Sequence, residues 1–320
     1  HLRSGATLPY AWLVLATGAR ARGLPALPTT LANVAVLRSA ADALRLRGQL
    51  AAATSVTVLG GGFIGLEIAA TARALGKAVQ VLEAAPRLLQ RSVSAELAVH
   101  VLDTHRAAGV DLRLGVRVSD FEIAGERLAA LSVDGQRTPV ELLVMGIGAA
   151  PDTALAEAAG LAGDAQAGGI VVDASLRSSD PAILAIGDCA NFPEHGTARR
   201  LRLESVQNAN DQARCAVATI LGTPEPYRAL PWFWSDQGSM RLQMAGLMPA
   251  ASSAEVTRHR RPGATPASFS LLHYRGERLL CVESVNAPLD HMAARKLLEA
   301  GRSPAPALAC DPAVPLKQHL

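Results

Sequence analysis

The sequence predicts an α/β fold followed by a smaller, β-rich C-terminal part. Three observations carry this. The β-branched run Ser55–Leu59 feeds straight into Gly60-Gly61-Gly62-Phe63-Ile64-Gly65, then a helix-forming stretch and a second strand, the opening of a βαβ unit. Strand-like and helix-like segments go on alternating to about residue 220, the pattern of a parallel sheet with crossover helices. Beyond Pro224-Glu225-Pro226 the character shifts to short strands and turns, up to one last helix over 290–300.

In chain order, residues 1–10 read as the second half of a β-hairpin, and the apolar run 12–15 as a strand stopped at Ala16-Thr17-Gly18. A Pro/Gly link at 23–28 follows, then an alanine- and leucine-rich helix over 39–52 with arginines on its polar side. The glycine run after Ser55–Leu59 opens a helix at 66–75, and the next strand, 79–82, ends in Glu83. A helix over 94–108 leads to a strand at 111–114, and a β-meander over 116–133 has turn signals at Gly125 and Asp134-Gly135. The strand 141–147 closes at Gly148-Ala149-Ala150-Pro151. Two further strand segments, 169–173 and 183–188, precede a helix over 206–220.

Composition removes several function classes. With 320 residues, 49% hydrophobic and 18% charged, the chain has ample core and no signature of disorder. No apolar stretch approaches the 18 residues of a membrane span, and a net charge of +3 is too small for a general nucleic-acid binder. Cys189, Cys215, Cys281 and Cys310 lie far apart without a CxxC pair, which excludes a disulfide framework or zinc ribbon and fits a reducing, cytoplasmic setting. The eight histidines show no HExxH spacing, and no metal site is expected.

Gly60-x-Gly62-x-x-Gly65 carries a mechanism. The first glycine permits the tight strand-to-helix turn, the second lets backbone approach a pyrophosphate, and the third lets helix and strand pack closely. The phosphate charge then meets the unpaired amides of the helix start. Glu83, 18 residues past Gly65, is placed to accept hydrogen bonds from a ribose diol and to repel a 2′-phosphate, favouring NAD(H) over NADP(H). Arg87 stands close enough to blur that preference. Glu67, expected in the first helical turn, has two readings: a carboxylate complementing the helix dipole, or a residue near a nicotinamide.

Other segments resemble one family. Leu13-Val14-Leu15-Ala16-Thr17-Gly18-Ala19-Arg20 is similar to the ATG segment of two-dinucleotide flavoprotein reductases, and Ala185-Ile186-Gly187-Asp188-Cys189-Ala190 to their second flavin motif. Leu203-Glu204-Ser205-Val206-Gln207-Asn208-Ala209, Pro231-Trp232-Phe233-Trp234-Ser235-Asp236-Gln237 and Asp311-Pro312-Ala313-Val314-Pro315-Leu316-Lys317 resemble the branch of NADH-dependent ferredoxin, putidaredoxin and rubredoxin reductases. Within that branch the likeness is strongest to the ferredoxin reductase component of aromatic-ring dioxygenase systems.

The resemblance implies a glutathione-reductase-like flavoprotein with two dinucleotide-binding domains and a small α+β domain. Residues 1–28 and 148–227 would be FAD-domain segments, 29–147 the NAD domain and 228–320 the interface domain. It implies FAD and NAD(H) as cofactors, with electrons passing from NADH through FAD to an acidic [2Fe–2S] ferredoxin. Ala16, Thr17, Gly18, Gly187 and Asp188 would contact FAD, with Asp188 on the ribityl chain; Glu204, Ser205 and Val206 would border the flavin ring. Gly146-Ile147-Gly148 would face the bound dinucleotide, and Trp234 would lie beside the flavin. No catalytic acid or base is implied, Glu67 and Trp234 being possible modulators. The family begins with another GxGxxG-bearing βαβ unit, and no segment before Ala16 supplies the roughly 30 residues it needs.

Alternatives stay open: a disulfide reductase or NADH oxidase of the wider superfamily, or a non-catalytic NAD-binding protein. So do monomer and homodimer. Tyr227, Trp232, Phe233 and Trp234 form an aromatic cluster, of which Trp232 and Phe233 are expected to close the C-terminal domain. Two basic groups, Arg199, Arg200 and Arg202, and Arg258 with His259, Arg260 and Arg261, are solvated loops by default and a docking patch on the sharper reading.

Overall fold

The computed structural model describes residues 1–2, 4–249 and 255–320. The chain forms two compact units, each assembled from separated stretches: residues 1–20 with 150–233, and residues 21–149 with 234–320.

The larger unit holds a five-stranded parallel sheet in the order Val34–Val36, Leu143–Met145, Ser55–Leu59, Ala78–Glu83, Asp111–Leu114. Its strands are apolar runs because both faces are covered: Val34, Val58, Val81, Leu143 and Val144 are fully buried. From the central strand Ser55–Leu59 the chain crosses through helix Phe63–Ala74 to Ala78–Glu83 on one side, while Leu143–Met145 pairs on the other. Strand order therefore reverses at the C-terminal end of Ser55–Leu59, the place where such sheets leave a crevice.

Helix Ala40–Ala52 begins at a capping box formed by Ser39 and Asp42, and helix Ala95–Ala107 at Ser94, whose hydroxyl accepts from the Leu97 amide. The last crossover is a meander, Val118–Ala124, Arg127–Val133 and Gln136–Pro139, turned at Gly125 and at Asp134-Gly135 as expected. Buried Asn33 clamps it, donating to the Leu128 carbonyl and accepting from the Leu128 amide, both at 2.8 Å.

The C-terminal module of this unit is an antiparallel sheet in the order Trp232–Gln237, Met240–Gly246, Arg278–Val285, Phe269–Arg275, Val256–Pro262. Helix Pro288–Glu299 packs Ala293, Ala294 and Leu297 against Leu272, Tyr274 and Val282. Helix Ala95–Ala107 of the parallel-sheet module lies against four of these strands. The Ser94 amide donates to Glu283 at 2.8 Å, Glu96 pairs with Arg258 at 2.8 Å and Arg260 at 3.2 Å, His100 meets the Phe269 ring edge-on at 4.9 Å, and His105 reaches Gln237 at 2.9 Å. Glu283 also holds His273 at 2.9 Å, so a carboxylate only 1% exposed has a donor on each oxygen.

In the smaller unit Leu13–Leu15 runs parallel to Ile183–Ala185, beside a three-stranded sheet ordered Ile170–Val171, Ala190–Pro193, Arg200–Leu201. Helix Val206–Ile220 completes it, capped by Ser205, whose hydroxyl accepts from the Asn208 amide at 3.1 Å. The core gathers Leu15, Leu176, Leu184, Phe192 and Tyr227. Tyr227 belongs to this core: its ring stands edge-on to Phe192 at 5.2 Å and its hydroxyl donates to Asn208.

Three expectations change. No strand forms among the described residues of 1–10; the Leu2 amide donates to the Ala6 carbonyl in a turn at Gly5, and Leu13–Leu15 takes a parallel partner instead of a hairpin one. The strand expected over 141–147 is only Leu143–Met145, because Glu141 is drawn off to Thr54 and Ser55. The helix expected at 66–75 starts at Phe63, since Gly62 already serves as its N-cap, so Glu67 lies past the first turn. Among the described residues no helix is long and apolar enough to cross a membrane.

Candidate functional site

The glycine loop sits at the crevice of the parallel sheet, and its glycines are needed for different reasons. Gly60 has φ +109°, and a Cβ there would stand 2.5 Å from the Gly146 carbonyl oxygen. A Cβ on Gly65 would meet the Gly60 carbonyl oxygen at 2.2 Å. These two are demanded by the protein's own packing. Gly62 is not: its backbone is ordinary extended chain (φ −84°, ψ 178°), and the nearest neighbour of a Cβ would be 3.9 Å away. The open space at Gly62 faces a helix start with no side-chain cap, a cradle that a Cβ would begin to fill. That arrangement fits a pyrophosphate.

Glu83, at the end of the neighbouring strand, accepts from the Gly61 amide at 2.5 Å and the Ala85 amide at 2.7 Å. Its carboxylate thus borders the loop, half-buried, where a ribose would lie beside the pyrophosphate. Arg87 is turned away from that role: its guanidinium donates to the carbonyls of Gln90, Val93 and Ser94 and holds the 90–94 loop. Gly146 and Ile147 close the other side of the loop, the Gly146 amide donating to the Leu59 carbonyl at 2.8 Å. Gly148, at φ +100°, lies one step farther, its carbonyl accepting from the Arg22 amide at 2.9 Å. Phe63 is half-buried, and Ile64 stays 42% exposed at the mouth of the cradle.

Glu67 projects from the same helix to the C-terminal module, where its Oε1 accepts from the Ser235 hydroxyl at 2.5 Å. Burial pushes its carboxyl above the usual range, against hydrogen bonds from Ser235 and the Asp236 amide that favour the charged form. Trp234 is the strand neighbour of Ser235 and is 40% exposed.

In the smaller unit the expected flavin residues converge. Ala16, Thr17 and Gly18 leave the C-terminal end of Leu13–Leu15, and Gly187 and Asp188 leave the same end of its parallel partner. The Thr17 hydroxyl donates to the Asp152 carbonyl at 2.6 Å, fixing that turn, with Gly18 at φ +69°. Gly187, at φ +75°, donates its amide to Gln212 of helix Val206–Ile220 at 2.7 Å, which sets the Gly187-Asp188 turn beside that helix. The Gln212 Nε2 is buried with no hydrogen-bond partner among the described residues, an orphaned donor next to this turn. Val206, the first residue of the helix, is 64% exposed. Glu204 is tied back by Arg202, which contacts Glu204 at 2.6 Å and the Asp188 carbonyl at 3.2 Å. The turn, the exposed helix start and the orphaned amide fit a polar, phosphate-bearing flavin.

Members of the two basic groups have partners within the protein, and one of them is buried. Arg261 is buried and pairs with Asp290 while donating to the carbonyls of Ala309, Asp311 and Val314, so it is a structural cation. Arg258 and Arg260 share Glu96, and Arg260 also stacks 3.7 Å from the Phe269 ring centre. Arg200 binds Asn191 and the Val172 carbonyl, and Arg202 binds Glu204. Local reading of the sequence missed Gln212, His105, Ser235 and Gln237 as members of these sites. Ser235 meets Glu67 across 168 residues of chain and Gln237 meets His105 across 132. No periodicity signals such pairs.

Comparison with known proteins places these features in a family. The model for pyridine nucleotide-disulphide oxidoreductases matches residues 1–213, and that for the reductase C-terminal domain matches residues 232–320. The chain is 43% identical to rhodocoxin reductase of Rhodococcus erythropolis, over 99% of this chain and 73% of that protein. It is 39% identical to the ferredoxin–NAD(+) reductase component of an anthranilate 1,2-dioxygenase system from Burkholderia cepacia, over 100% of this chain and 77% of the relative. Among solved structures, the covalent putidaredoxin reductase–putidaredoxin complex superposes with a TM-score of 0.90 at 38% identity, covering 99% of this chain and 76% of that one. The chain belongs to the pyridine nucleotide-disulphide oxidoreductase family, an oxidoreductase lineage that uses FAD and NAD(H), and it carries that family's reductase C-terminal domain.

Proposed function

We propose that this chain is a flavoprotein reductase that takes electrons from NADH through FAD and delivers them to an acidic [2Fe–2S] ferredoxin serving an oxygenase. The observation that carries the reading is the likeness over 99% of the chain to reductases named for redoxin partners, one of them solved in covalent complex with its redoxin. The geometry of the dinucleotide site supports the donor. Gly62 leaves room that the protein does not itself need, the start of helix Phe63–Ala74 presents amides to a pyrophosphate, and Glu83 disfavours a 2′-phosphate while Arg87 is engaged elsewhere.

Gly60, Gly61, Gly62, Phe63, Ile64, Gly65, Glu83, Gly146, Ile147 and Gly148 would hold NAD(H), with Glu67 at its nicotinamide end. Ala16, Thr17, Gly18, Gly187, Asp188, Glu204, Ser205 and Val206 would hold FAD, and Trp234 would line its approach. When bound, the flavin supplies the conversion of a two-electron hydride donor into one-electron steps. The chain's own residues would bind and orient: the Ser205-capped helix start would border the ring, where its positive end would favour negative charge. The cytoplasm is the setting proposed for this chain, on the wide spacing of its four cysteines in the sequence.

Steady-state assays of the FAD-loaded protein test the reading. NADH-driven reduction of a haem reporter should depend on added [2Fe–2S] ferredoxin and be at least about tenfold slower with NADPH at equal concentration, a difference of about 1.4 kcal/mol. Equal rates with and without ferredoxin would sink it.

A further inference from the structure

Three side chains outside the glycine loop form one line of hydrogen bonds ending on Glu67. His105 Nε2 lies 2.9 Å from Gln237 Oε1, Gln237 Nε2 donates to Ser235 Oγ over 3.1 Å, and Ser235 Oγ donates to Glu67 Oε1 over 2.5 Å. Ser235, Gln237 and His105 are all buried. Chemistry fixes the direction of each link. A carboxylate only accepts, so Ser235 gives Glu67 its single hydroxyl proton. The serine oxygen then takes a proton from the Gln237 amide, whose carbonyl is left facing His105, and His105 must carry its proton on Nε2. Every donor points from the imidazole to the carboxylate, and bonds in such a line polarise one another.

The imidazole enters this line neutral at pH 7, because burial holds it below its ordinary value. A primary amide in the middle interrupts any chain of O–H groups, so the line orients and stabilises; it does not conduct protons. The Asp236 amide is a second donor to Glu67, while the Asp236 carboxylate, through charge, and burial both oppose ionisation. The strand Trp232–Gln237 thus supplies Glu67 with two donors, and through Gln237 it is braced against helix Ala95–Ala107.

We propose that Ser235, Gln237 and His105 are positioning residues of the dinucleotide site: they hold Glu67 as an oriented carboxylate on the cradle helix and tie its geometry to the strand that carries Trp234. This rests on the reading of helix Phe63–Ala74 as the NAD(H)-binding helix.

The test compares the FAD-loaded protein with Ser235→Ala and Gln237→Met. The Glu67 carboxyl is titrated by infrared difference spectroscopy without nucleotide, Glu67→Gln assigning the band. The His105 tautomer is read by nitrogen-15 NMR, and NAD+ affinity by calorimetry across pH. In the wild type His105 should be the Nε2–H tautomer. Ser235→Ala should raise the Glu67 titration by roughly one to two pH units, since it removes a hydrogen bond to a charged group. Its NAD+ affinity should fall in that same pH window and recover above it. Gln237→Met should act in the same direction and less strongly, which keeps the proposal testable if Ser235→Ala does not fold. An Nδ1–H tautomer, or a Glu67 titration that neither variant moves, overturns the proposal. Failure of the wild type itself to bind NAD+ would instead overturn the dinucleotide reading, which the titration does not depend on.

Discussion

At the scale of single residues the glycine loop separates two kinds of requirement that one motif conceals. Gly65 answers to the protein, since a Cβ would press close on the Gly60 carbonyl oxygen. Gly62 does not, since a Cβ would meet nothing nearer than 3.9 Å, and its room is what the proposed pyrophosphate would use. Gly62→Ala is therefore expected to melt close to the wild type yet bind NADH at least about tenfold more weakly, about 1.4 kcal/mol. Gly65→Ala is expected to lose stability and binding together. A thermal melt and an NADH titration of both variants check this pair. Glu83 makes a second residue-scale prediction. Replacing it by Gln removes the charge that repels a 2′-phosphate, and the ratio of kcat/KM for NADPH over NADH should rise by about tenfold. An unchanged ratio would show that another group sets the preference.

At the scale of elements, polar side chains decide how segments meet. Glu141 gathers the amides and hydroxyls of Thr54 and Ser55, which lowers its carboxyl from the ordinary 4.5 to about 2. A folded value below the unfolded one means stabilisation that is complete above pH 4.5 and lost as pH falls toward 2. Glu141→Gln should lower Tm at pH 7 and cost little at pH 2, a pattern a pH series of melts would show. Glu283 is the stronger case, because it is buried with Ser94 and His273 as donors. Glu283→Ala leaves both donors facing a cavity and should destabilise by about 3–5 kcal/mol, measured by denaturant unfolding. Local signals gave the helices and strands well: helix Val206–Ile220 and strand Asp111–Leu114 form where their patterns place them. They failed where a distant partner intervened. The strand expected from Glu141 begins late because Thr54 and Ser55 hold that residue, and the glycine helix begins early because Gly62 can cap it in extended form.

At the scale of the whole molecule, the sequence made the dinucleotide loop and the flavin segments legible because each is a contiguous run whose backbone needs are written locally. What it hid was assembly. Helix Ala95–Ala107 reads as an ordinary crossover helix, yet Ser94, Glu96, His100 and His105 dock it on the C-terminal sheet. The run Arg258 to Arg261 reads as a surface charge cluster, yet Arg261 is the buried anchor for the last turns of the chain. Arg261 is thereby removed from any docking patch, whereas Arg258 and Arg260 keep exposed side chains. These two share the one carboxylate of Glu96, so reversal of Arg258 turns a net positive group into a net negative one. If this group steers the partner, the salt dependence of ferredoxin reduction should weaken, and an unchanged dependence would remove it from docking.

The central claim is that this chain moves electrons from NADH to a ferredoxin by way of bound FAD. An anaerobic visible absorption spectrum of the FAD-loaded protein decides it, taken before NADH, after one equivalent of NADH, and after two equivalents of oxidised [2Fe–2S] ferredoxin, one for each electron. NADH should bleach the flavin bands, and ferredoxin should restore them as its own visible absorption falls. A flavin spectrum that NADH leaves unchanged, or a bleached spectrum that ferredoxin does not restore, would contradict it.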